Sequence, residues 1–227
     1  GKARSYYQKK DWDRAIGVYR EVPRDTWPWH DTLFEGSWAM LRSGRFRSAL
    51  SNFHSLHSAF YENTYLPESL ILRSIVYLYI CKYDETEKVL NLFNRMYRPA
   101  YRTLDETLRE TKRPTEYFNI LHKILTDYKK SPEQTLASKY PIPYVVANKV
   151  SHEADFQSSY NYVKNLNAEK NRIDKLPAAW RGSSLGQYAI RVLETRMAKA
   201  KQHSGKQIHS HLIAIHNELL DLIEQEG

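Results

Sequence analysis

The sequence predicts an all-α protein, and three observations support that prediction. Only 8 of the 227 residues are glycine, and alternating runs of β-branched residues, which would indicate strands, are few. One pattern of two short helices recurs three times within residues 6–93, and apolar residues at helical spacing continue beyond it. The expected architecture is a solenoid of helical hairpins, then a capping pair of helices, then a long C-terminal antiparallel helical hairpin.

The recurring pattern is a helix, a short polar turn, and an aromatic residue that opens a second helix. The opening residues are Trp12, Phe46 and Tyr83. A small residue follows three positions later and a large apolar residue four positions after that, which gives the pairs Ala15 and Tyr19, Ala49 and Phe53, and Thr86 and Leu90. Small side chains let antiparallel helices approach closely, and the large residue extends the same helical face.

The pattern resembles the tetratricopeptide repeat (TPR) family. Ala15 and Ala49 are 34 residues apart, the period of that family, whereas Ala49 and Thr86 are 37 apart. The positions that correspond to the family signature in the second copy are Leu33, Gly36, Ser37, Met40, Ala49 and Phe53. Met40 and Thr86 depart from the family's tyrosine and alanine. The resemblance covers residues 1–98 and implies a stacked solenoid that binds proteins, without naming a partner.

Three segments are expected along the chain. They are the TPR-like repeats in residues 1–98 with a truncated first repeat, a degenerate capping helix pair in residues 99–140, and the long helical hairpin in residues 141–227. Because residue 1 falls inside the first helix of a repeat, the chain is expected to be trimmed at its N-terminus.

Prolines and apolar runs give the expected helix limits. Pro99 is expected to end the last repeat. Residues 67–81 are apolar on several faces, which predicts the most buried helix of the chain. Residues 143–176 and 184–225 are predicted to be two long helices.

Arginine and aromatic side chains on the first helices of the repeats are candidates for a concave binding groove. Partner peptides can lie in such grooves, and these residue types commonly anchor interfaces. The candidates are Arg4, Tyr7, Phe34, Trp38, Arg42 and Arg73. For most aromatic residues of this region, the alternative is a place in the core between helices.

Basic residues concentrate in residues 164–206, which we call the basic segment. It holds ten basic and three acidic residues, a net charge of +7, against +8 for the whole chain. The ten are Lys164, Lys170, Arg172, Lys175, Arg181, Arg191, Arg196, Lys199, Lys201 and Lys206. Because they surround the turn of the expected hairpin, its tip is either a docking surface for something acidic or a solvated helical face.

Patterns typical of catalysis, cofactor binding or metal binding are lacking, so we expect no enzyme activity, no cofactor and no metal. The histidines of the last helix, His203, His209, His211 and His216, lack the spacing of three or four residues that would place two imidazoles on one face. His54 and His57 have that spacing without a nearby carboxylate or cysteine, and are expected to face solvent. Cys81 is the only cysteine, so no intrachain disulfide is possible.

The leading hypothesis is a non-enzymatic scaffold or adaptor that binds a protein or peptide, an acidic one included, through the groove or the basic tip. Self-association is a further expectation. The alternative is binding of nucleic acid or an anionic surface through the basic segment, with nucleic acid the second choice. The sequence has no apolar stretch of about 18 residues, so it predicts no transmembrane helix. The single cysteine and the basic, tyrosine-rich composition favour a bacterial envelope or periplasm over the cytoplasm.

Overall fold

A computed structural model of the chain describes residues 1–24, 26, 28–58, 63–110 and 112–226. The described part is all-helical and contains no strand. Its helices are α1 (Lys2–Gln8), α2 (Trp12–Arg20), α3 (Trp29–Arg42), α4 (Phe46–Leu56), α5 (Pro67–Tyr79), α6 (Tyr83–Arg109), α7 (Pro114–Lys130), α8 (Pro132–Ala137), α9 (Tyr144–Ser151), α10 (Ala154–Asp174), α11 (Ala178–Gly182) and α12 (Ser184–Glu226). Among these helices, none has the length and apolar character needed to span a membrane.

The chain divides into two compact units. The first comprises Gly1–Arg98 with Leu222–Gly227, and the second comprises Pro99–Asp221. Helices α6 and α12 contribute residues to each unit.

Successive helices of the first unit pack against one another, from α1 on α2 through α4 on α5. Ala15, Ala39 and Ala49 are fully buried, so small residues lie where these helices meet. Around them the core contains Ile16, Tyr19, Met40, Phe53, Leu56, Leu72 and Val76. Burial of a large side chain such as Phe53 contributes roughly 1.5–3 kcal/mol. This packing stabilises α1 and α2, which are too short to be stable alone.

Three helix–helix turns of the first unit, those before Trp12, Phe46 and Tyr83, share one geometry. The residue two positions before the aromatic residue that opens the second helix has a positive φ; these residues are Lys10 (59°), Gly44 (74°) and Cys81 (56°). The next amide donates to a carbonyl five residues earlier, which gives Asp11 N to Tyr6 O at 3.0 Å, Arg45 N to Met40 O at 2.8 Å and Lys82 N to Tyr77 O at 2.8 Å. This is the Schellman arrangement, which pairs carbonyls that the helix end would leave free.

The second unit is built around α7, which packs on α8 and α9, while α9 packs on α10. Its buried side chains include Tyr117, Phe118, Leu121, Ile124, Ile142, Val146, Val150 and Phe156. Two contacts join α10 to α12: the Ser159 hydroxyl donates to Ser204 Oγ at 3.0 Å, and His211 Nε2 lies 2.9 Å from an Asp155 carboxylate oxygen.

Helix α12 approaches the start of α7 very closely at Gly205. A Cβ atom at this position would lie 1.8 Å from the Pro114 carbonyl oxygen. Ser204 and Ala200, on the same stretch of α12, are buried. This stretch of α12 is therefore a tight contact made by small residues.

Pro99, expected to end the last repeat, does not end a helix, because α6 continues from Tyr83 to Arg109 with Pro99 inside it. Pro99 is exposed, so water can bond the carbonyl that the missing N–H leaves unpaired. Tyr97 and Ala100 beside it are buried, and their packing holds the helix together.

The single helix expected over residues 143–176 is also wrong, because α9 and α10 are separated at His152 and Glu153. The Ser151 hydroxyl and His152 Nδ1 both lie 2.7 Å from the Asn148 carbonyl oxygen. A continued helix would use this oxygen for the amide of His152, which instead donates to Lys149 O. Side chains that compete for a backbone carbonyl in this way favour a helix end.

The prediction that residues 67–81 form the most buried helix is confirmed among the described helices, since eight of the 13 residues of α5 are buried, although its end is not. Leu70, Ile71 and Leu72 are buried, but Leu78 is 52% exposed and Tyr79 is 73% exposed. The C-terminal end of α5 therefore presents apolar side chains to solvent.

Candidate functional site

Helices α1 and α3 bring four of the six predicted groove residues to one cavity of about 320 Å³. Arg4 and Tyr7 are three residues apart on α1, and Trp38 and Arg42 are four apart on α3, so each pair lies on one helical face. Glu35 and Tyr19 complete the lining. The cavity thus has two aromatic residues from the predicted set, two arginines, and a carboxylate that the sequence analysis missed.

A polar network links three helices within this cavity. Arg4 Nε donates to both carboxylate oxygens of Glu35, at 3.1 and 3.0 Å, and the Tyr19 hydroxyl donates to Glu35 Oε2 at 2.9 Å. An Arg4 terminal nitrogen also contacts the same carboxylate. Glu35 is therefore held from both sides, which fixes its position in the cavity.

The protonation states of this network follow from its contacts. Burial alone would favour a neutral Glu35 carboxyl, but the hydrogen bonds from Arg4 and Tyr19 outweigh burial and lower its pKa. Burial and the hydrogen bond to Glu35 raise the pKa of Tyr19, and the hydrogen bond to Glu35 raises the pKa of Arg4. At neutral pH the network is therefore an arginine–carboxylate ion pair beside a neutral tyrosine.

Tyr7 and Trp38 are positioned by packing, whereas Arg42 is not. The Tyr7 ring meets the Trp12 ring edge-on with centroids 5.1 Å apart. Trp38 packs against the core of the first unit. Arg42 is exposed and forms no ion pair with any described residue. With Arg4 neutralised by Glu35, Arg42 supplies the positive charge of the cavity.

The other two predicted groove residues lie away from this cavity lining. Phe34 packs against the core of the first unit. Arg73, on α5, donates to Nδ1 of His57 at 3.2 Å and to Nδ1 of His54 at 3.3 Å. Its own Nε atom is buried without a hydrogen-bond partner.

The contacts of Arg73 define the tautomers of both histidines. Because arginine has no acceptor, each Nδ1 must accept, so each Nε2 carries the hydrogen. His57 Nε2 therefore donates to Ser69 Oγ at 2.7 Å, and His54 Nε2 donates to Tyr77 Oη at 3.1 Å. Burial and the nearby Arg73 charge lower the pKa of His57 to about 4 and also lower that of His54. His57 is thus a half-buried neutral histidine, and the expectation that it faces solvent is wrong.

The ten cations of the basic segment lie on α10, α11 and α12, with Lys175 just after α10. Eight of them are exposed, while Arg181 and Lys201 are half-buried. None of the ten forms an ion pair with an acidic residue in the described part of the chain. Their charge is therefore not neutralised by direct pairing within the second unit.

Three helices of the second unit bring two of these lysines together over aromatic rings. Lys164 Nζ lies 5.2 Å from the centre of the Tyr160 ring, and Lys201 Nζ lies 5.9 Å from that of Phe118. Between them His122 Nδ1 lies 2.7 Å from Tyr160 Oη. Burial, then the charges of Lys201 and Lys164, lower the pKa of His122, so burial and both lysines favour its neutral form.

A second cavity, of about 540 Å³, lies between α10 and α12 in the same unit. Its lining includes Arg196, Lys199 and His203 from α12 and Asp155, Ser158 and Tyr162 from α10. One carboxylate therefore faces two cations of the basic segment across this space.

The histidines of the last helix are dispersed among separate contacts. His211 pairs with Asp155, His216 lies 3.1 Å from an Asp105 oxygen, and His209 packs on the Tyr117 ring. In the described ranges, no three His, Cys, Asp or Glu side chains are placed to hold a metal ion.

Two residues of the cavity, Glu35 and Tyr19, were not predicted, and helical spacing could have identified only the first. Glu35 lies three residues before Trp38 and seven before Arg42, so helical spacing alone places it on their face. The repeat pattern places Tyr19 on the same helical face as Ala15, and it is buried, but its hydroxyl also reaches the cavity. Nothing in the spacing indicated that second role.

Comparisons with known proteins found no match: no family model, no curated protein and no solved structure matches the chain.

Proposed function

We propose that the protein is a non-enzymatic scaffold of TPR-like helical hairpins that binds a peptide segment of another protein in the α1–α3 cavity. The observation that carries this proposal is the convergence of Arg4, Tyr7, Trp38 and Arg42 on one cavity. Aromatic and arginine side chains are the usual anchors of protein interfaces, and here Glu35 holds Arg4, while packing holds Tyr7 and Trp38.

The repeat architecture in this proposal is supported by the three equivalent turns at Lys10, Gly44 and Cys81. The helix pairs are α1 with α2, α3 with α4, and α5 with α6, stacked as a solenoid. The long C-terminal hairpin is supported by the contacts from Asp155 to His211 and from Ser159 to Ser204. The residue numbers rise along α10 as they fall along α12, so the two helices are antiparallel.

The chemistry of the cavity favours a peptide with an aromatic or aliphatic side chain next to an acidic one. Tyr7 and Trp38 offer apolar contact area, and Arg42 offers an unpaired guanidinium for a carboxylate. Glu35 would repel a second carboxylate brought close to Arg4. The acidic group of the peptide therefore belongs at the Arg42 end of the cavity.

The proposal is tested by affinity capture from a lysate of the source organism, followed by calorimetry with peptides of the captured protein. The test variant is Trp38→Ala with Arg42→Glu. The matched control is Tyr79→Ala with Arg47→Glu, which removes an exposed aromatic residue and reverses an exposed arginine elsewhere in the first unit. We expect the test variant to weaken peptide binding at least about tenfold and the control to bind like the wild type. Equal binding by all three proteins would contradict the proposal.

A second candidate function is the binding of nucleic acid or another anionic surface by the basic segment. The observation that favours it is the absence of ion pairs at all ten cations among the described residues. Such binding would weaken steeply with added salt, because contacts to phosphate release counterions.

A further inference from the structure

Exposed apolar side chains lie in the turn that joins α10 to α12. Leu185 is 67% exposed, Tyr188 is 61% exposed and Leu176 is 38% exposed. Leu185 and Tyr188 are three residues apart at the start of α12, so they share one helical face. We call residues 176–188 the turn segment. Large apolar side chains this exposed have no role in the core of the second unit.

Basic residues flank these apolar side chains in the sequence. Residues 170–191 contain five basic residues, Lys170, Arg172, Lys175, Arg181 and Arg191, and one acidic residue, Asp174, which gives a net charge of +4. None of the five forms an ion pair with a described residue. The turn segment therefore combines exposed apolar contact area with unneutralised positive charge.

The backbone of the turn segment is held by its own hydrogen bonds. The Ser183 hydroxyl donates to the Trp180 carbonyl at 2.6 Å and accepts from the Gly186 amide at 3.1 Å. Arg181 Nε donates to the Leu176 carbonyl at 3.1 Å. A Cβ at Gly186 would lie 2.2 Å from the Trp180 carbonyl oxygen, so only glycine allows this contact. The apolar side chains are thus presented from an ordered turn.

We propose that the turn segment docks on an anionic lipid surface. Leu185 and Tyr188 would enter the boundary between headgroups and acyl chains, while the surrounding lysines and arginines bind anionic headgroups. Tyrosine suits this boundary because its ring is apolar and its hydroxyl is polar. This inference rests on the second candidate function, because it uses cations of the basic segment. It is independent of the peptide cavity in the first unit.

Lipid accounts for these side chains better than nucleic acid does. A nucleic-acid site uses cations and aromatic stacking, which gives no role to exposed Leu185 and Leu176. A bilayer interface uses cations, tyrosine and leucine together, so it gives a role to Leu176, Leu185 and Tyr188 alike.

The test is co-sedimentation of the full chain with vesicles of phosphatidylcholine alone or with about a third of phosphatidylserine. We expect binding to the anionic vesicles only. The variant Leu185→Ser with Tyr188→Ser keeps every charge, and we expect it to weaken that binding by roughly tenfold or more. The variant Lys170→Glu, Arg172→Glu, Lys175→Glu is expected to weaken it by roughly a hundredfold.

Matched controls come from the same unit. Leu136→Ser with Tyr162→Ser removes two exposed apolar side chains outside the turn segment, and Lys129→Glu, Lys130→Glu, Lys139→Glu reverses three exposed cations. Both controls should bind like the wild type. Equal binding to both vesicle types, or to neither, would overturn the proposal. The proposal would also be overturned if the Leu185→Ser, Tyr188→Ser protein bound anionic vesicles like the wild type. If that variant also bound a mixed-sequence duplex DNA like the wild type, the cations would be assigned to nucleic-acid binding.

A second measurement reports the inserted side chain directly. Tyr188→Cys in a Cys81→Ser background gives one thiol for an environment-sensitive dye, and Tyr162→Cys in the same background is the control. We expect the emission of the dye at position 188 to shift to the blue with anionic vesicles, and that at position 162 to stay unchanged. Equal shifts at both positions, or a shift at neither, would contradict insertion of the turn segment.

Discussion

At the scale of single residues, the helix–helix turns of the first unit place a positive φ on three different residue types. Gly44 adopts this conformation without strain, whereas Lys10 and Cys81 carry a Cβ that crowds the backbone there. The turn geometry is the same in all three copies. It follows that the packing of the helices imposes the turn and that two side chains tolerate it at a cost.

Replacing either strained residue by glycine should stabilise the protein. We expect Lys10→Gly and Cys81→Gly each to raise the free energy of unfolding by about 0.5–1 kcal/mol, after allowance for the greater freedom of glycine in the unfolded chain. Gly44→Ala should lower it by about 1 kcal/mol. Urea unfolding followed by circular dichroism measures all three. A loss of stability in both glycine variants would show that the turns are unstrained.

His57 gives the first unit a sensitivity to acid. Its pKa is about 4 in the folded protein, below the ordinary value of about 6.5. Between these values the unfolded chain binds a proton that the folded chain does not, so its contribution to stability is complete above about pH 6.5. That contribution falls as the pH drops to about 4, by roughly 2–3 kcal/mol.

The variant His57→Gln should remove this part of the pH dependence, since glutamine does not titrate. We expect the loss of unfolding free energy between pH 7 and about pH 4.5 to be smaller in the variant by roughly 1–3 kcal/mol. His203→Gln, at an exposed position of α12, is the control and should behave like the wild type. If the unfolding free energy of His57→Gln fell with pH in parallel with that of the wild type, protonation of His57 would not be the cause of the loss of stability in acid.

At the scale of helices, Gly205 determines how closely α12 can approach α7. A methyl group at this position would overlap the Pro114 carbonyl, and a backbone atom cannot move aside as a flexible side chain can. We expect Gly205→Ala to destabilise the protein by about 2 kcal/mol or more, despite the higher helix propensity of alanine. Thermal and urea unfolding measure the change.

Gly17→Ala is the matched control, because Gly17 lies within α2 and a Cβ there meets nothing within 4 Å. It should gain about 0.5–1 kcal/mol from helix propensity alone. The same substitution is thus expected to have opposite signs at the two sites. Stabilisation by Gly205→Ala would mean that the two helices move apart without cost.

The helices themselves were largely predictable, because their limits depend on local chemistry. The turns before Trp12, Phe46 and Tyr83 were located from a polar run followed by an aromatic residue, and Pro67 and Pro114 open helices as their fixed φ favours. Pro99 was misjudged because its exposure and the burial of its neighbours are tertiary facts. The break at His152 was missed because neither glycine nor proline marks it.

The cavity was predictable only in part, for a similar reason. Helical spacing groups Tyr7 with Arg4 and Trp38 with Arg42, but it does not place α1 beside α3. Arg73 lies on α5, yet His54 of α4 and His57 just after α4 bind it instead. Spacing assigns a residue to a helical face, while the neighbouring helix decides what that face contacts.

At the scale of the whole molecule, the net charge of +8 conceals a strong segregation along the sequence. The basic segment carries +7, whereas residues 207–227 contain four acidic residues and no lysine or arginine. Helix α12 therefore runs from a basic stretch into an acidic one. Attraction to a polyanion should depend on this clustering and not on the net charge.

Two variants of equal net charge separate these explanations. Four reversals to Glu, either at Arg191, Arg196, Lys199 and Lys206 or at Lys123, Lys129, Lys130 and Lys139, subtract eight charges and bring the net charge from +8 to 0. All eight side chains are exposed and lie in the second unit. Only the first set lies in the basic segment.

The two variants are compared by their binding to a short duplex DNA, a polyanion of known charge spacing. Fluorescence anisotropy against salt concentration gives the affinity and its salt slope. We expect the first variant to lose at least about tenfold in affinity and about 0.9 in slope for each contact removed, because each phosphate contact releases counterions. The second variant should retain the slope of the wild type. Equal losses in both would assign the attraction to net charge, and the basic segment would then be a solvated face of the helices.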